Sequence, residues 1–297
     1  MAGSAIALNT DLLARQEKRE RATILRLALP ASLLVLVLLF VPIGWLMSLS
    51  FVGADGSLSF ENYTRIWTEG AYVAIFVTTF QVSLWVTVIC VLLGYPVAYT
   101  LSLLPEKISN ILMLAVLIPC WTSLLVRTYA WLVLLQRRGI VNSALIDLGL
   151  IDQPLQLVHN MTGTVIGMVH IMLPFLVLPL YAAMRAIDGN LLRAAGNLGA
   201  SPGRAFRDIF LPLSAPGLIA GAMLVFVMSL GFYITPVILG GGKVQMISQR
   251  IEASVSLFPT WGPASALAVV LLILTAGFLL VSWIAVRKLT PAETEAP

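Results

Sequence analysis

The sequence predicts an all-α membrane protein with six transmembrane helices, and two observations carry that prediction. Hydrophobic residues make up 59% of the 297 residues and charged residues only 11%, whereas soluble domains average about 25% charged residues. Six apolar runs also follow one another, each long enough for the ~20-residue helix that crosses a bilayer. The predicted spans cover residues 27–49, 73–103, 111–135, 163–184, 213–239 and 264–286.

The first span follows a charged N-terminal tail, residues 1–26, that is either an interfacial helix or a solvated, disordered segment. The apolar run after it is too long for the core of a signal peptide and lacks a clear small-x-small cleavage site. We therefore expect it to remain in the mature protein as a helix. The predicted division is a tail over 1–26, a transmembrane domain over 27–289 and a short C-terminal tail over 290–297.

Helix-breaking residues mark two of the later spans. The second span is longer than a bilayer requires, so we expect it to tilt or to bend at Gly94 and Pro96. The fifth span carries Gly231 and Pro236, which are expected to open its backbone near the outer half. The third span is predicted to be one continuous helix.

Charge within the spans is scarce. None of the fourteen acidic residues lies in the core of a span, and Arg127 in the third span is the single basic exception. An arginine near the outer interface is expected to snorkel or to pair within the fold, with substrate contact as the alternative. For His170 in the fourth span, a hydrogen-bonded packing role is favoured over gating or proton transfer.

The distribution of basic residues predicts the orientation. Twelve Lys and Arg residues lie in the two tails, the turn after the second span and the segment 185–212, against five in the loops on the opposite side. Because loops with more Lys and Arg face the cytoplasm, both termini and segment 185–212 are predicted to be cytoplasmic.

Segment 185–212, between the fourth and fifth spans, is predicted to contain two short helices. Asp188 or Asn190 can cap the first helix, and Gly199 is a natural residue for its end. Ser201 is suited to cap the second helix, with Pro202 at its first position. The second helix has an apolar ridge formed by Phe206, Ile209 and Phe210, which is expected to dock into a groove on a partner. Its opposite side is polar and carries Arg204, Arg207 and Asp208.

This segment also resembles a known family. Ala194-Ala195, Gly199, Ile209 and Leu211-Pro212 have the spacing of the EAA loop of binding-protein-dependent ABC importer permeases, whose pattern is Glu-Ala-Ala, three residues, Gly, nine residues, Ile-x-Leu-Pro. The chain departs from that pattern where Arg193 replaces the usual Glu. The resemblance implies a type I importer permease fold and a loop that couples to a cytoplasmic ATPase. The expected coupling residues are Arg193, Ala194, Ala195, Gly199, Arg204, Phe206, Asp208, Ile209, Leu211 and Pro212.

Further segments are similar to the spermidine/putrescine (PotB/PotH-like) branch of that family. They are Gly94-Tyr95-Pro96 with Tyr99, the stretch 118–131, and Leu173-Pro174-Phe175 with Leu178-Pro179-Leu180. This resemblance implies a second, different permease chain of the PotC/PotI type, two ATPase subunits, and a periplasmic binding protein that delivers a polyamine.

The resemblance places ATP and Mg in the partner ATPase, and no cofactor is expected in this chain. The nearest match to a phosphate-binding loop, residues 240–244, lacks its first Gly and its Ser/Thr and is predicted to lie outside. His159 and His170 do not make a metal set, because zinc sites need three or four close ligands. Cys90 and Cys120 are expected to be packing residues.

Aromatic side chains are the best candidates for a solute pathway, because their ring faces attract cations. The candidates are Trp121, Tyr129, Trp131, Phe232 and Tyr233, with Glu252 near the outer mouth as a countercharge. For any single ring, a place in a lipid-facing aromatic belt is an equal alternative.

Three alternatives remain at this point. The same architecture could import another small solute, such as an amino-acid-like compound, a phosphonate, iron or sulfate. A stand-alone secondary transporter or channel would need intramembrane acids or histidines, which are largely missing. A membrane-embedded enzyme is disfavoured because the chain has no Ser/His pair, paired Asp or His-Glu-x-x-His set.

Overall fold

A computed structural model describes the backbone of residues 2–53 and 55–289 and the side chains of residues 19, 23, 26–53 and 55–284. The predicted C-terminal tail, residues 290–297, lies outside this range. Within it the chain forms thirteen α-helices and no β-strand. They are α1 Ala2–Leu49, α2 Glu61–Thr68, α3 Gly70–Leu103, α4 Glu106–Leu117, α5 Leu124–Leu134, α6 Ile140–Asp147, α7 Met161–Arg185, α8 Gly189–Asn197, α9 Pro202–Ala205, α10 Leu211–Leu230, α11 Ile234–Gly240, α12 Ile247–Leu257 and α13 Gly262–Leu289.

Five of the described helices are long and apolar enough to cross a membrane, and a bent pair would make a sixth. The five are Arg26–Leu49, Gly70–Leu103, Met161–Arg185, Pro202–Leu230 and Gly262–Ile284. The all-α membrane architecture is therefore confirmed. In addition, α1 runs unbroken from Ala2 to Leu49, so the predicted tail is helical and continuous with the first span.

The prediction of one continuous third span over 111–135 is wrong. Helix α4 ends at Leu117, a 3-10 turn follows over Ile118–Trp121, and α5 begins at Leu124 at an angle of 96° to the first piece. Pro119 has no N–H to donate, and its ring obstructs a continuing α-helix. Thr122 and Ser123 then adopt extended conformations, and an apolar run alone does not reveal that change of direction.

The fifth span also ends earlier than predicted. Helix α10 stops at Leu230, and the separate helix α11 begins at Ile234, so residues 213–239 are not one helix. The backbone opens at Gly231, as predicted, whereas Pro236 lies buried inside α11. Helix α3, by contrast, continues as a single helix through Gly94 and Pro96.

Helices α3, α7 and α10 form the centre of the molecule. The main core cluster joins Val86 and Cys90 of α3, Met172 and Leu176 of α7 and Val225 of α10, all fully buried. Glycines let the helices approach: a Cβ on Gly217 of α10 would lie 2.3 Å from the Cβ of Ala183 on α7. This three-helix centre supports the connecting segment 185–212 at one end.

Candidate functional site

The first helix of segment 185–212 is built as predicted. The carboxylate of Asp188 accepts a hydrogen bond from the backbone N–H of Asn190 at 2.9 Å and caps α8. The helix ends at Asn197, and Gly199 has a φ of +82°, a left-handed conformation that favours glycine. The backbone N–H of Ala200 then bonds back to the carbonyl of Ala195 at 3.0 Å. These local signals fix the turn that separates the two short helices.

The second helix is also capped as predicted, but it continues further. The hydroxyl of Ser201 accepts a hydrogen bond from the N–H of Arg204 at 3.4 Å, and Pro202 occupies the first position. Helix α9 passes through a π-helical turn over Phe206–Phe210 directly into α10. The segment Pro202–Leu230 is therefore one candidate span of 29 residues. Helix α9 is thereby joined directly to the membrane domain.

The apolar ridge of this helix faces inward. The rings of Phe206 and Phe210 stack at 5.8 Å, and the ring of Tyr99 on α3 meets them edge-on at 5.2 Å and 5.1 Å. Phe210 is only 4% exposed, and Ile209 is half-buried. Phe210 therefore packs within this chain, whereas Phe206 is half-buried, and docking of the ridge on a partner stays a prediction. Aromatic packing against α3 in the same chain explains the orientation of both rings.

Exposed residues of the segment form a different surface. Leu198, at the tip of α8, is 89% exposed, and Arg207 has an ion pair with Asp208 at 3.5 Å while remaining open to solvent. Of the other predicted coupling residues, one is buried, Ala195, and the rest are exposed: Arg193, Ala194, Gly199, Arg204, Leu211 and Pro212. Sequence reasoning missed Leu198, although an isolated leucine beside Gly199 at a helix end was a readable signal.

A shallow hollow of about 290 Å³ lies beside this surface. It is bordered by α8, α9 and the ring of Tyr99, and its lining includes Leu192, Ala200 and Phe206. The segment thus presents a protruding leucine next to an apolar recess. Such a pair can interlock with a complementary surface on another protein.

The predicted pathway residues lie on or near helices α5, α11 and α12. Helices α5, α7 and α11 pack together, and the hydroxyls of Thr128 and Thr235 lie 3.2 Å apart. Trp131 is half-buried and meets the imidazole of His170 edge-on at 5.6 Å. The carbonyl of Phe232 accepts a hydrogen bond from Ser248 at 2.7 Å. Four of the predicted pathway residues are exposed: Trp121, Tyr129, Tyr233 and Glu252. Among the ring contacts of the described residues, none joins two of the predicted pathway rings.

Polar atoms near this region are left unpaired. Nε and Nη1 of Arg127 and Nδ1 of His170 are buried without a hydrogen-bond partner among the described residues. The expectation that Arg127 pairs within the fold is not met there, and His170 packs on Trp131 but leaves its Nδ1 unsatisfied. Because the third span is broken, the expected position of Arg127 near the outer interface, which assumed a straight helix, no longer follows.

Arg250 of α12 contacts Tyr72, and the sequence analysis did not predict this contact. Its Nη2 donates a hydrogen bond to the Tyr72 hydroxyl at 3.0 Å, and its guanidinium carbon lies 4.9 Å from the Tyr72 ring centroid. The two residues are far apart in the chain, and no local pattern indicates that they meet. This contact fixes α12, which carries Glu252, against the start of α3. Among the described residues, no group of three or more His, Cys, Asp or Glu side chains could hold a metal ion.

Comparison with known proteins defines the class. Residues 23–288 match the family described as "Binding-protein-dependent transport system inner membrane component". The chain belongs to this family and is an inner-membrane permease subunit of a binding-protein-dependent ABC importer. It is thus a multi-pass transport subunit and not an enzyme, as the sequence predicted.

Two relatives and one solved structure show which members of the family resemble this chain. The chain is 35% identical over 236 residues to the spermidine/putrescine transport system permease protein PotB of Haemophilus influenzae, covering 77% of this chain and 82% of that protein. It is 33% identical over 261 residues to PotB of Escherichia coli strain K12, covering 86% and 94%. The fold is similar to a chain in the crystal structure of a bacterial alginate ABC transporter, with a TM-score of 0.72, 16% identity and coverage of 93% and 98%. The predicted family resemblance and permease fold are confirmed.

Proposed function

We propose that this chain is the permease half of a polyamine importer, with spermidine and putrescine as solutes. The observation that carries the proposal is the similarity to two PotB proteins over most of the chain. The exposed rings of Trp121, Tyr129 and Tyr233 support it, because aromatic faces attract organic cations.

The partners follow from the same proposal. A second, different permease chain of the PotC/PotI type completes the pathway, and two ATPase subunits supply ATP and Mg chemistry. Since none of the fourteen acidic residues of this chain lies in the core of a predicted span, the countercharge for a dication comes from the second permease, from carbonyls and rings, or from Glu252. Both termini lie in the cytoplasm in this arrangement.

Segment 185–212 is the proposed contact with the ATPase. The geometry supports a division of labour within it. Leu198, Arg204 and Arg207 are exposed and available to a partner, whereas Phe206 and Phe210 attach the segment to α3. Closure of the ATPase dimer would move the rod Pro202–Leu230 and, through Tyr99, helix α3 with it. Burial of a large apolar side chain stabilises the folded state by about 1.5–3 kcal/mol, and this free energy holds the segment against α3.

A second candidate solute class is favoured by one observation. The guanidinium of Arg127, whose Nε and Nη1 are buried without a hydrogen-bond partner among the described residues, would repel a dication if it bordered the pathway. A solute that carries an anionic group, such as an aminophosphonate, would instead be attracted. One relative, a putative 2-aminoethylphosphonate transport system permease protein of Salmonella paratyphi A, is 25% identical over 251 residues.

Reconstitution separates these candidates. The complete complex, co-purified from its host, is placed in liposomes with its binding protein, and uptake of labelled spermidine, putrescine and 2-aminoethylphosphonate is followed with and without ATP. The proposal predicts ATP-dependent uptake of the two amines alone. Uptake of only the phosphonate would refute the polyamine assignment and leave the family assignment intact.

A further inference from the structure

The third span breaks at membrane depth. Leu117, the last residue of α4, packs on a core cluster that contains Val177 of α7. Leu124, the first residue of α5, packs on the cluster that contains Met168 of α7. Both α7 residues lie at least about 10 Å along the helix from its nearer end, at 1.5 Å per residue. Because α7 is itself a candidate span, the break between α4 and α5 lies at the depth of the hydrocarbon core.

The fifth span breaks in the same region. Phe232, between α10 and α11, packs on the same core cluster as Leu124. Thr128 lies one turn into α5, Thr235 lies near the start of α11, and their hydroxyls are 3.2 Å apart. The two short helices that follow the breaks are therefore in contact. The C-terminal ends of α4 and α10 consequently lie in one part of the membrane domain.

Carbonyl groups are left unpaired at the first break. The carbonyl of Pro119 accepts hydrogen bonds from the N–H and the hydroxyl of Thr122, at 3.2 Å and 2.8 Å. The carbonyls of Cys120, Trp121 and Thr122 accept no hydrogen bond among the described residues. Trp121 and Thr122 are exposed and Cys120 is half-buried. This chain therefore does not enclose the unpaired carbonyls.

The second break has another such carbonyl. Gly231 is exposed and its carbonyl accepts no hydrogen bond among the described residues, whereas the carbonyl of Phe232 accepts from Ser248. Non-helical backbone at membrane depth is tolerated only where it is buried in protein or lines a water-filled cavity. These carbonyls also follow the C-terminal ends of α4 and α10, where the helix dipole favours a positive charge. Both features suit a site for a cation.

We infer that the carbonyls at the two breaks form the subsite of this chain that binds the primary ammonium groups of the solute; they belong to Cys120, Trp121, Thr122 and Gly231. The inference rests on the proposed function. None of the fourteen acidic residues lies in the core of a predicted span, so backbone oxygens supply the negative charge that a cation needs there. An ammonium group has three N–H donors, and several carbonyls can accept from it at once.

Cysteine protection tests this subsite in the complete importer, held in nanodiscs without binding protein. Thr122→Cys is made with Cys90 and Cys120 replaced by alanine, and its rate of reaction with a water-soluble maleimide is measured. The thiol is expected to react, and putrescine should slow the reaction about tenfold. The permethylated analogue of putrescine has the same two charges but no N–H, so it should slow the reaction less than about twofold. Trp67→Cys on α2 is the control, and its reaction should not respond to either compound.

A second variant changes the backbone at the break. Pro119→Ala restores an N–H and removes the ring that obstructs the helix, so carbonyls at the break can pair within a longer α4. In the Thr122→Cys background it should reduce the slowing by putrescine from about tenfold to about twofold. Pro96→Ala is the matched control, because Pro96 lies within the continuous helix α3, and the slowing should persist there.

The outcomes are distinct. No reaction at Thr122→Cys would overturn the inference, because the break would then not line a water-filled cavity. Equal slowing by putrescine and its permethylated analogue would also overturn it, since aromatic rings would then be sufficient to bind the cation. Slowing by 2-aminoethylphosphonate and not by putrescine would support the carbonyl subsite, because that compound also carries an ammonium group, and would refute the proposed polyamine solute.

Discussion

At the scale of single residues, segment 185–212 has some side chains that pack against the membrane domain and others that are exposed. Phe210→Ala is expected to destabilise the protein by about 3–5 kcal/mol, because it removes a buried ring from the stack with Phe206 and Tyr99. The melting temperature of the purified complex measures this. The matched variant Leu198→Ala should leave that temperature unchanged, because Leu198 is 89% exposed, and should instead weaken retention of the ATPase during purification.

A lower melting temperature in Leu198→Ala with normal ATPase retention would contradict this division. Phe206→Asp is expected to abolish uptake while the protein stays in the membrane, because the charge would disrupt packing against Tyr99 within this chain.

Gly199 provides a second test at this scale. Its φ of +82° disfavours any side chain, whereas space for a Cβ is open at both Gly199 and Gly196. Gly199→Ala should therefore lower stability by about 1–2 kcal/mol and reduce uptake, since it strains the turn between α8 and α9. Gly196→Ala should be neutral or raise stability by up to about 1 kcal/mol, because alanine favours helix. Comparison of melting temperature and uptake in the two variants checks this, and equal effects would refute it.

At the scale of helices, α7 and α10 are in close contact, and the proposed function requires this contact to transmit movement of segment 185–212. Gly217→Leu would force side-chain atoms into Ala183 and the carbonyl of Pro179, so we expect a loss of about 1–3 kcal/mol and reduced accumulation in the membrane. Gly277→Leu on α13 is the control, because a Cβ there meets nothing within 4 Å. Quantitative blotting of membrane fractions with a melting assay distinguishes them, and a normal yield of Gly217→Leu would refute tight packing.

Helix-scale features also show what sequence reasoning can and cannot reach. The caps at Asp188 and Ser201 and the turn at Gly199 depend on neighbours within a few residues, so local chemistry was sufficient to predict them. The direction of the Phe206–Phe210 face depends on where Tyr99 of α3 lies, which an amphipathic pattern does not contain. The break after Pro119 was missed because hydrophobicity continued unchanged through it. The shape of the loop that carries Arg137 depends on the hydrogen bonds of Asn142, whose partners are set by tertiary packing.

At the scale of the whole molecule, a chain without its own phosphate-binding loop is expected to receive mechanical work from elsewhere. The span Pro202–Leu230 joins segment 185–212 to the three-helix centre, and the family assignment makes this chain part of a transport system. The proposed coupling requires segment 185–212 to lie on the cytoplasmic side, within reach of an ATPase.

Cysteine accessibility tests this claim most directly. Leu198→Cys and Trp67→Cys are made with Cys90 and Cys120 replaced by alanine, and intact cells and inside-out vesicles are treated with a membrane-impermeant maleimide. The account predicts that position 198 reacts only in inside-out vesicles and is protected when the ATPase subunits are bound, while position 67 reacts only in intact cells. Labelling of position 198 from outside the cell would contradict the account.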